Sequence, residues 1–407
     1  MASRSGDVSV LKHARELLED ATFLHRASQT IAQLGVVGEQ RNCLTLFLAG
    51  LTKELEMPVS VLVKGSSSSG KSNLVRRVLL LFPSETIIER ASLSAKAPAH
   101  SEESYAKHIL SLNEYRGGKD AEYFLRLFQS DGDCGIAHEY TTVTGKGRTT
   151  EVVRQVGIPV VVTTTTDQKL FEDSSTRFLG IQVDESAAQN LAILKAQVRK
   201  RHERIKPSLA VWRKAIGLLS RQPSDFQEPP SWLDYVAEHL PRNKVRVRRD
   251  FRRFLSLCEA CALLRRRIGA GPLNITFPDY AVAYQILEPA FAATSHEIHK
   301  NELAVMRAVE QLTASRKAGV TVKEIAKRLG WSDAVVYKYV HSGNRHKRLK
   351  FADGTRERNL KLILPMTDSS SRFLPRPGLV FRNNEEIGTE ASYVDPLTGE
   401  TRTFSRD

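Results

Sequence analysis

Hydrophobic positions in the first part of the chain recur at the three-and-four spacing of amphipathic helices. Residues 10–35 follow this pattern, and Gly35 is placed to end the helix. A second amphipathic stretch covers residues 42–56 and leads to Pro58. The pattern predicts an N-terminal helical region over residues 8–55.

The periodicity then changes to short runs of aliphatic and β-branched residues. Helical patterns separate these runs, so we expect parallel strands whose sheet is covered on both faces. The runs are residues 59–64, 86–90, 108–113, 158–165 and 178–185. The sequence therefore predicts an α/β fold with a largely parallel sheet.

One segment interrupts the alternation of strands and helices. Residues 134–156 hold two runs of strand-forming residues around the glycine-bearing sequence TGKGR at 144–148. We expect an antiparallel hairpin there. Its tip would expose two cations, Lys146 and Arg148.

The pattern beyond residue 186 is helical and basic as far as residue 267, with a loop at 222–231. A linker-like stretch follows the sequence GAGP at 269–272. The tail from Pro365 is rich in serine, proline and charge. We expect it to be loosely ordered, apart from a hairpin around residues 395–401.

Between the linker-like stretch and the tail, the pattern predicts a compact unit. Residues 301–312, 321–330 and 332–342 read as three helices, and 348–364 as two strands around Asp353-Gly354. Helix, helix–turn–helix and hairpin follow one another in the winged-helix order.

Composition narrows the class of protein. The 407 residues carry a formal charge of +14, with 41% hydrophobic and 26% charged residues. These values are typical of a soluble globular protein, and the positive charge favours nucleic acid as a partner over a membrane. The chain has neither an apolar run of spanning length nor a signal peptide at its start. We expect a cytoplasmic protein that does not bind membranes.

The cysteines do not predict a metal site. The chain has four, and the CxxC pair Cys258 and Cys261 lies in a helical pattern without further ligands at suitable spacing. The pair is interpreted as part of a buried helix face.

The strongest chemical signal is a complete GxxxxGK[ST] motif between a strand and a helix. Small residues let backbone N–H groups approach phosphates, and the helix N-terminus adds a positive field. Lysine would reach the β- and γ-phosphates, and the following serine hydroxyl would bind Mg²⁺. The predicted ATP-binding residues are Gly65, Ser66, Ser67, Ser68, Ser69, Gly70, Lys71, Ser72 and Asn73.

A hydrolase also needs an acidic group near Mg²⁺ and the attacking water. One candidate pair is Asp184-Glu185, which fits the pattern of an apolar run followed by two acids. The other is Asn113-Glu114, which ends the second strand after the loop. Position favours the second pair, with Glu114 as the base and Asn113 beside the metal.

Two further groups are candidates for the catalytic step. Hydroxyls of Thr163–Thr166 end a predicted strand and are suited to orient water, although such threonine runs are common. Arg177 precedes the last strand, where a guanidinium can supply transition-state charge or simply be solvated.

These pieces together resemble the MCM-like AAA+ helicases, above all the helicase module found with primases in phages and mobile elements. The likeness spans about residues 36–268. It rests on GSSSSGKS, HILSLNEY, VVVTTTTD, SSTRFLGIQVDES and VRVRRDFRRFLSLCEACALL.

The resemblance implies roles for several residues. Arg177 would be the arginine finger, usually acting across a subunit boundary, and Arg249 the second sensor, with Arg246 and Arg248 as alternatives. Thr165 would replace the usual asparagine of the first sensor. The hairpin would project into the channel of a homo-oligomeric ring, most often a hexamer, and a primase would be a separate protein.

The resemblance also implies a division of the chain. An AAA+ core with a helical lid would lie between an N-terminal helical segment and a C-terminal winged-helix domain. The segments are a collar (1–55), the ATPase core (56–186), a basic lid (187–270), a linker (271–298), the winged helix (299–365) and a tail (366–407).

Two regions are candidates for DNA binding. The hairpin tip would track phosphates without regard to sequence. The winged-helix unit would present a second basic surface, unless it serves as a protein-contact module. Its candidate residues are Lys338, Arg345, Lys347 and Arg348.

The sequence therefore predicts a Mg²⁺- and ATP-dependent DNA helicase or translocase of a mobile element or phage. The alternative is an ATP-switched DNA-binding initiator, helicase loader or regulator without motor activity. Asn113 favours the alternative slightly, because slow hydrolysis suits a switch.

Overall fold

The structure, a computed structural model, describes residues 2–91, 104–113, 136–144, 147–155, 157–166, 177–199, 207–219, 227–240, 245–266, 273–295, 300–313, 319–344, 349–357, 360–365 and 374–406. Its helices are α1 (Ala2–Glu19), α2 (Phe23–Gln33), α3 (Gln40–Leu51), α4 (Lys71–Leu79), α5 (Ala187–Arg199), α6 (Leu209–Leu219), α7 (Trp232–Glu238), α8 (Val247–Arg266), α9 (Phe277–Ser295), α10 (Lys300–Thr313), α11 (Val322–Leu329), α12 (Asp333–Asn344) and α13 (Pro377–Arg382). Its strands are β1 (Val61–Lys64), β2 (Ile87–Arg90), β3 (Ile109–Leu112), β4 (Ile136–Thr144), β5 (Gly147–Gln155), β6 (Val160–Thr165), β7 (Leu179–Gln182), β8 (Leu349–Glu357), β9 (Leu360–Pro365), β10 (Glu390–Val394) and β11 (Thr401–Ser405).

A five-stranded parallel sheet forms the centre of the fold, in the order β2-β3-β6-β1-β7. β1 lies between β6 and β7, with Val61 opposite Val162 on one side and Leu179 on the other. Each predicted run supplies one strand, so the expected α/β fold with a parallel P-loop sheet is confirmed.

The two faces of this sheet pack against different hydrophobic cores. Val61 and Val63 belong to the larger core, which includes residues of the N-terminal helices, α4, α8 and α9. Leu62 belongs to a smaller core with Tyr105 and Phe178. Successive strand residues point to opposite faces, so a sheet covered on both sides requires the uninterrupted apolar runs seen in the sequence.

The N-terminal region is helical, as predicted, but its first helix is broken. The Thr22 backbone N–H donates to the Asp20 carboxylate at 2.7 Å, and Arg26 pairs with the same carboxylate at 2.7 Å. This turn separates α1 from α2. The expected amphipathic pattern of α3 is wrong, because Cys43–Leu51 are all buried. A helix that is apolar on every side belongs in a core.

Helix α9 occupies the stretch that the sequence predicted as a linker, residues 271–298. Tyr280, Leu287 and Phe291 are fully buried, and α9 packs against α8, α3 and β7. The linker prediction is therefore wrong for this helix. Its apolar residues surround the helix axis, so no polar face marks it as a helix in the sequence.

Residues 300–365 contain the three helices and the hairpin that the pattern predicted. They share a core of their own, in which Val309, Ile325 and Val340 are buried, and Val320 bridges to Ile363 beside the hairpin. The predicted turn at Asp353-Gly354 is wrong. Both residues lie within β8, at a register irregularity between Phe351 and Arg356, and an irregular ladder accommodates a turn-like dipeptide inside a strand.

The tail is more ordered than expected. The predicted hairpin is confirmed as β10–β11, with Val394 opposite Thr401. Phe381 of α13 is buried in the main core, and the Tyr280 hydroxyl donates to the Pro375 carbonyl at 2.6 Å. Loose order is therefore wrong for residues 374–406, because apolar side chains anchor this polar-looking segment. The other segment boundaries remain predictions.

The hairpin that interrupts the α/β alternation is also present. β4 and β5 pair antiparallel from Ile136 opposite Gln155 to Thr144 opposite Gly147. β4 ends at Thr144 and β5 begins at Gly147, both within the predicted TGKGR sequence. Lys146 lies outside the described residues.

Among the helices that the structure describes, none is long and apolar enough to cross a membrane. The described His, Cys, Asp and Glu side chains likewise form no group of three that would hold a metal ion.

Candidate nucleotide-binding site

The phosphate loop leaves the carboxyl end of β1 and runs into the first turn of α4. The Gly65 N–H donates to the Thr165 carbonyl at 3.3 Å, which ties the start of the loop to β6. Ser68 and Gly70 have positive φ values of 65° and 90°. For Ser68 this conformation costs on the order of 1 kcal/mol. The strand, loop and helix follow one another as the sequence predicted.

Lys71 is the buried cation of this loop, with 7% of its surface exposed. Its ammonium group donates to the carbonyl oxygens of Gly65 at 3.0 Å and Ser66 at 2.5 Å. The Ser69 hydroxyl lies 3.5 Å away. The positive charge is thus held over the loop by groups that a phosphate oxygen can replace.

The outer surface of the loop is open to solvent. Ser66, Ser67, Ser68 and Gly70 are exposed. Ser72 and Asn73 follow Lys71 in the first turn of α4 and are exposed as well. The Asn73 side chain accepts a hydrogen bond from Arg77 at 3.2 Å. A hydroxyl at the second position of the helix is suited to bind a metal ion that accompanies a phosphate, so the residues present fit Mg²⁺ with a nucleotide.

The segment after β7 lies directly against the loop. The Val183 N–H donates to the Lys64 carbonyl at 3.1 Å. The Ser66 N–H donates to a Glu185 carboxylate oxygen at 2.5 Å. A Cβ on Gly65 would lie 2.4 Å from a Val183 methyl, so only glycine fits between β1 and this segment.

Glu185 is therefore a site residue that sequence reasoning assigned no role. The sequence signal for Glu185 is the acidic pair Asp184-Glu185 at the end of an apolar run. The structure brings Glu185 to the β7 side of the loop, whereas Asn113 lies on the β3 side.

Asn113 follows β3 and is separated from β1 by β6. Its N–H donates to the Arg90 carbonyl at 3.3 Å, and its own carbonyl accepts from the Thr164 hydroxyl at 2.7 Å. With β6 between them, the carboxyl ends of β3 and β1 lie about 10 Å apart. This spacing suits a metal ion or water between Asn113 and the loop. Glu114 lies outside the described residues.

Thr165 ends β6 beside the phosphate loop and is buried. It pairs with Lys64 in the sheet, and its carbonyl accepts from Gly65. Thr164 and Thr165 point to opposite faces, because strand side chains alternate. The predicted sensor position is thus adjacent to the loop.

Arg177 lies at the amino ends of the parallel strands, whereas the phosphate loop lies at their carboxyl ends. It precedes β7, where the Leu179 N–H donates to the Ser60 carbonyl at 2.8 Å, just before β1 begins. The phosphate loop follows the other end of β1, which at four residues is about 13 Å long. The structure does not bring Arg177 to the phosphate loop of its own chain.

The predicted sensor arginines lie around the start of α8. Asp250 is fully buried and pairs with Arg246 and Arg253, each at 3.1 Å. Burial lowers the pKa of Arg253 to about 10, although Asp250 opposes this effect. Arg248 and Arg249 are exposed. Arg246 is thus held by Asp250, while Arg248 and Arg249 face outward.

The predicted DNA-binding residues are described only in part. Lys338 is exposed on α12 next to Tyr337, which is 56% exposed. Arg148 is opposite Val143 in the hairpin backbone. The remaining predicted residues, Lys146, Arg345, Lys347 and Arg348, lie outside the described part of the chain.

The cysteine pair lies on a buried helix face, as interpreted from the sequence. Cys258 and Cys261 are both buried in α8. Burial raises the pKa of both thiols, so neither is activated as a nucleophile or metal ligand.

Comparisons with known proteins give one family and several distant structures. Residues 11–218 match the family model described as the MTBMA_p00010 P-loop domain. No curated protein matches the chain. Both the matched range and the described loop include the GxxxxGK[ST] motif.

Solved structures are similar to this chain only at low sequence identity. A full-length MCM homolog from Methanopyrus kandleri is 12% identical with a TM-score of 0.45, over 70% of this chain and 62% of that one. The match to an active helicase, SCCmec type IV Cch, has 14% identity and a TM-score of 0.34, over 81% of this chain and 68% of that one. The ORC1 protein of Aeropyrum pernix, solved with DNA, is 13% identical with a TM-score of 0.25, over 86% and 92%. The chain thus spans about 62% of the length of the MCM homolog.

Proposed function

Because the chain belongs to the MTBMA_p00010 P-loop domain family, we propose that it is an ATP-dependent, ring-forming DNA helicase or translocase that serves replication of a mobile element or phage. The observation that carries the proposal is the geometry of the phosphate loop, with Lys71 held over it by the Gly65 and Ser66 carbonyls. The site of action would be the cytoplasm.

The proposed chemistry assigns each group around the loop a role. Backbone N–H groups and Lys71 bind the phosphates, and the Ser72 hydroxyl binds Mg²⁺. Mg²⁺ would neutralise charge on the transferred phosphoryl group. Glu114 would orient the attacking water, with Asn113 and Thr165 beside it.

The position of Arg177 supports oligomerisation. Arg177 and the phosphate loop lie at opposite ends of β1 and β7, so the arginine would reach the nucleotide of a neighbouring copy. A repeated head-to-tail contact of this kind closes into a ring when the rotation between copies allows it. We propose a homo-oligomeric ring, most simply a hexamer, in which Arg249 serves as the second sensor.

DNA binding is supported by charge and by two elements. The formal charge is +14, which favours a polyanionic partner. The β4–β5 hairpin would place Lys146 and Arg148 in the ring channel. Residues 300–365 would act as a winged helix whose basic face includes Lys338, and priming would need a separate primase.

A second candidate function is an ATP-switched DNA-binding initiator, helicase loader or regulator. Asn113 favours it, because it stands at the strand end where an acidic metal partner is expected. An amide oxygen carries no charge, so it would hold a metal-bound water more weakly than a carboxylate. Slow hydrolysis would then set the lifetime of the ATP-bound assembly.

Strand displacement on a forked DNA duplex separates the two candidates. For a helicase, we expect unwinding with ATP and Mg²⁺, none with a non-hydrolysable analogue, and none for Lys71→Ala. A protein that binds DNA in response to both nucleotides but never separates the strands is a switch.

A further inference from the structure

The segment between β7 and α5, residues 183–186, forms one wall of the phosphate loop. It packs so closely that a Cβ on Gly65 would lie 2.4 Å from Val183 and 3.1 Å from a Glu185 carboxylate oxygen. The segment is itself braced, because the Asp184 N–H donates to the Glu39 carboxylate at 2.5 Å. Glu39 in turn stands before α3. The wall is therefore attached to the core rather than to the loop alone.

Both backbone polar groups of Ser66 form hydrogen bonds with charged side chains. Its N–H donates to the Glu185 carboxylate, and its carbonyl accepts from the Lys71 ammonium group, each at 2.5 Å. One contact comes from a residue far along the chain and the other from the helix that follows the loop. Together the two charged side chains fix the first peptide units of the loop.

We infer that Glu185 is a positioning residue for the phosphate loop, an inference that rests on the proposed nucleotide-binding function. Its carboxylate holds the Ser66 amide, so that the rest of the loop presents its N–H groups in one conformation. Preorganisation of this kind raises affinity, because less freedom is lost when the ligand binds. Glu185 itself does not contact phosphate, since two anions repel.

Glu185 has two effects of opposite sign, and two substitutions separate them. Glu185→Ala removes both the hydrogen bond and the negative charge. Glu185→Gln keeps an oxygen that accepts from Ser66 but removes the charge beside the phosphates. A loop that depends on the hydrogen bond is disturbed by alanine and restored by glutamine.

Asp184 offers a matched control at the neighbouring position. It is exposed, and its carboxylate accepts from the Ser186 N–H at 2.9 Å. Asp184→Asn removes the same charge close to the loop without touching the Ser66 contact. Any effect of charge alone will appear in this variant as well.

Titration of the full chain with a fluorescent ATP analogue and Mg²⁺ tests the inference. We expect Glu185→Ala to raise the Kd about tenfold, as loss of one hydrogen bond does. Glu185→Gln and Asp184→Asn should stay within about twofold of the parent. In steady-state hydrolysis, Glu185→Ala should raise KM more than it lowers kcat.

Two controls make the outcome decisive. The melting temperature of each variant shows whether it is folded; a lower Tm for Glu185→Ala with unchanged Kd and KM would mean that Glu185 is only structural and would overturn the inference. Equal weakening by Glu185→Ala and Glu185→Gln would overturn it too. Lys71→Ala tests the proposed function separately: if this variant binds the analogue like the parent, the loop is not the nucleotide site.

Discussion

The Lys71 ammonium group donates to two carbonyl oxygens of its own loop, so its buried charge is satisfied by groups that phosphate oxygens can replace. Ser68 and Gly70, both with positive φ, curve the backbone around it. A buried cation with replaceable partners is suited to bind an anion. The side chain at position 71 is therefore expected to decide nucleotide turnover.

Replacing Lys71 by alanine should abolish ATP hydrolysis, because the phosphates lose their only cation from the GxxxxGK[ST] motif. Arg76→Ala is the matched control, since Arg76 is exposed on the same helix. Phosphate release by both variants is measured alongside the parent. Turnover by Lys71→Ala at the parent's rate would mean that the loop has no catalytic role.

At the scale of elements, α8 contains ionisable side chains that are partly or fully buried. Burial, with a smaller contribution from Glu56, raises the pKa of Glu259 from 4.5 to about 7. The same helix contacts the segment before β1, because the Ser256 hydroxyl donates to the Met57 carbonyl at 2.6 Å. The contact between α8 and residues 52–57 should therefore depend on pH.

The sign of this pH dependence follows from the raised pKa. Between about pH 4.5 and 7 the folded protein binds more protons than the unfolded chain at Glu259, so its contribution to stability falls as the pH rises. We expect Glu259→Gln to be more stable than the parent at pH 8, by about 3 kcal/mol at most. The difference should vanish near pH 4.

Urea unfolding at pH 5 and pH 8 measures this difference. Glu390→Gln is the control, because Glu390 is exposed on β10. A Glu259→Gln variant whose stability follows the parent at both pH values would show that Glu259 ionises freely in the folded protein.

The β4–β5 hairpin is an element whose proposed role depends on its turn. Replacing both Lys146 and Arg148 by alanine should weaken DNA binding and reduce the slope of log K against log salt by about two phosphate contacts. Lys12 and Arg15, both exposed on α1, form a control pair with the same loss of charge. Anisotropy titrations of single-stranded DNA at several salt concentrations give the slopes. The hairpin does not contact DNA if both double variants give the same slope as the parent.

At the scale of the whole molecule, residues 300–365 are inserted rather than appended. Phe291 of α9 precedes this unit and Phe381 of α13 follows it, and both are buried in the main core. The unit has a separate core around Val309 and Ile325. It is therefore connected at both ends to the body that contains the phosphate loop.

Arg177 and the phosphate loop lie at opposite ends of β1 and β7, and their proposed roles lead to a prediction about assembly. Arg177→Ala and Lys71→Ala should each be inactive alone, yet regain activity when mixed. A Lys71→Ala subunit can still supply Arg177 to a neighbour whose phosphate loop is intact. In an equal mixture about one interface in four has this arrangement, so about a quarter of the parent's ATPase rate is expected.

Mixed rings must be demonstrated before the rates are interpreted, for example by co-purification through a tag on one variant. Verified mixed rings without activity would show that Arg177 does not act on a neighbouring site.

Local sequence patterns were sufficient to predict many of the structural elements of this protein. The phosphate loop, the five strand runs, the β4–β5 hairpin and the helices of the 300–365 unit were all predicted, because each has a short-range signal in its spacing or its turn residues. Such signals come from residues that are close together in the sequence. They are therefore present however the element packs in the fold.

Long-range packing determined the rest. Helix α9 and residues 374–406 join the main core through apolar side chains that no local periodicity reveals. Glu185 contacts Ser66 across 119 positions, and Arg177 is carried away from its own loop by the direction of β7. These relations depend on which strands are neighbours and how helices cover them. That choice is made by burial summed over the whole chain, which no single stretch of sequence encodes.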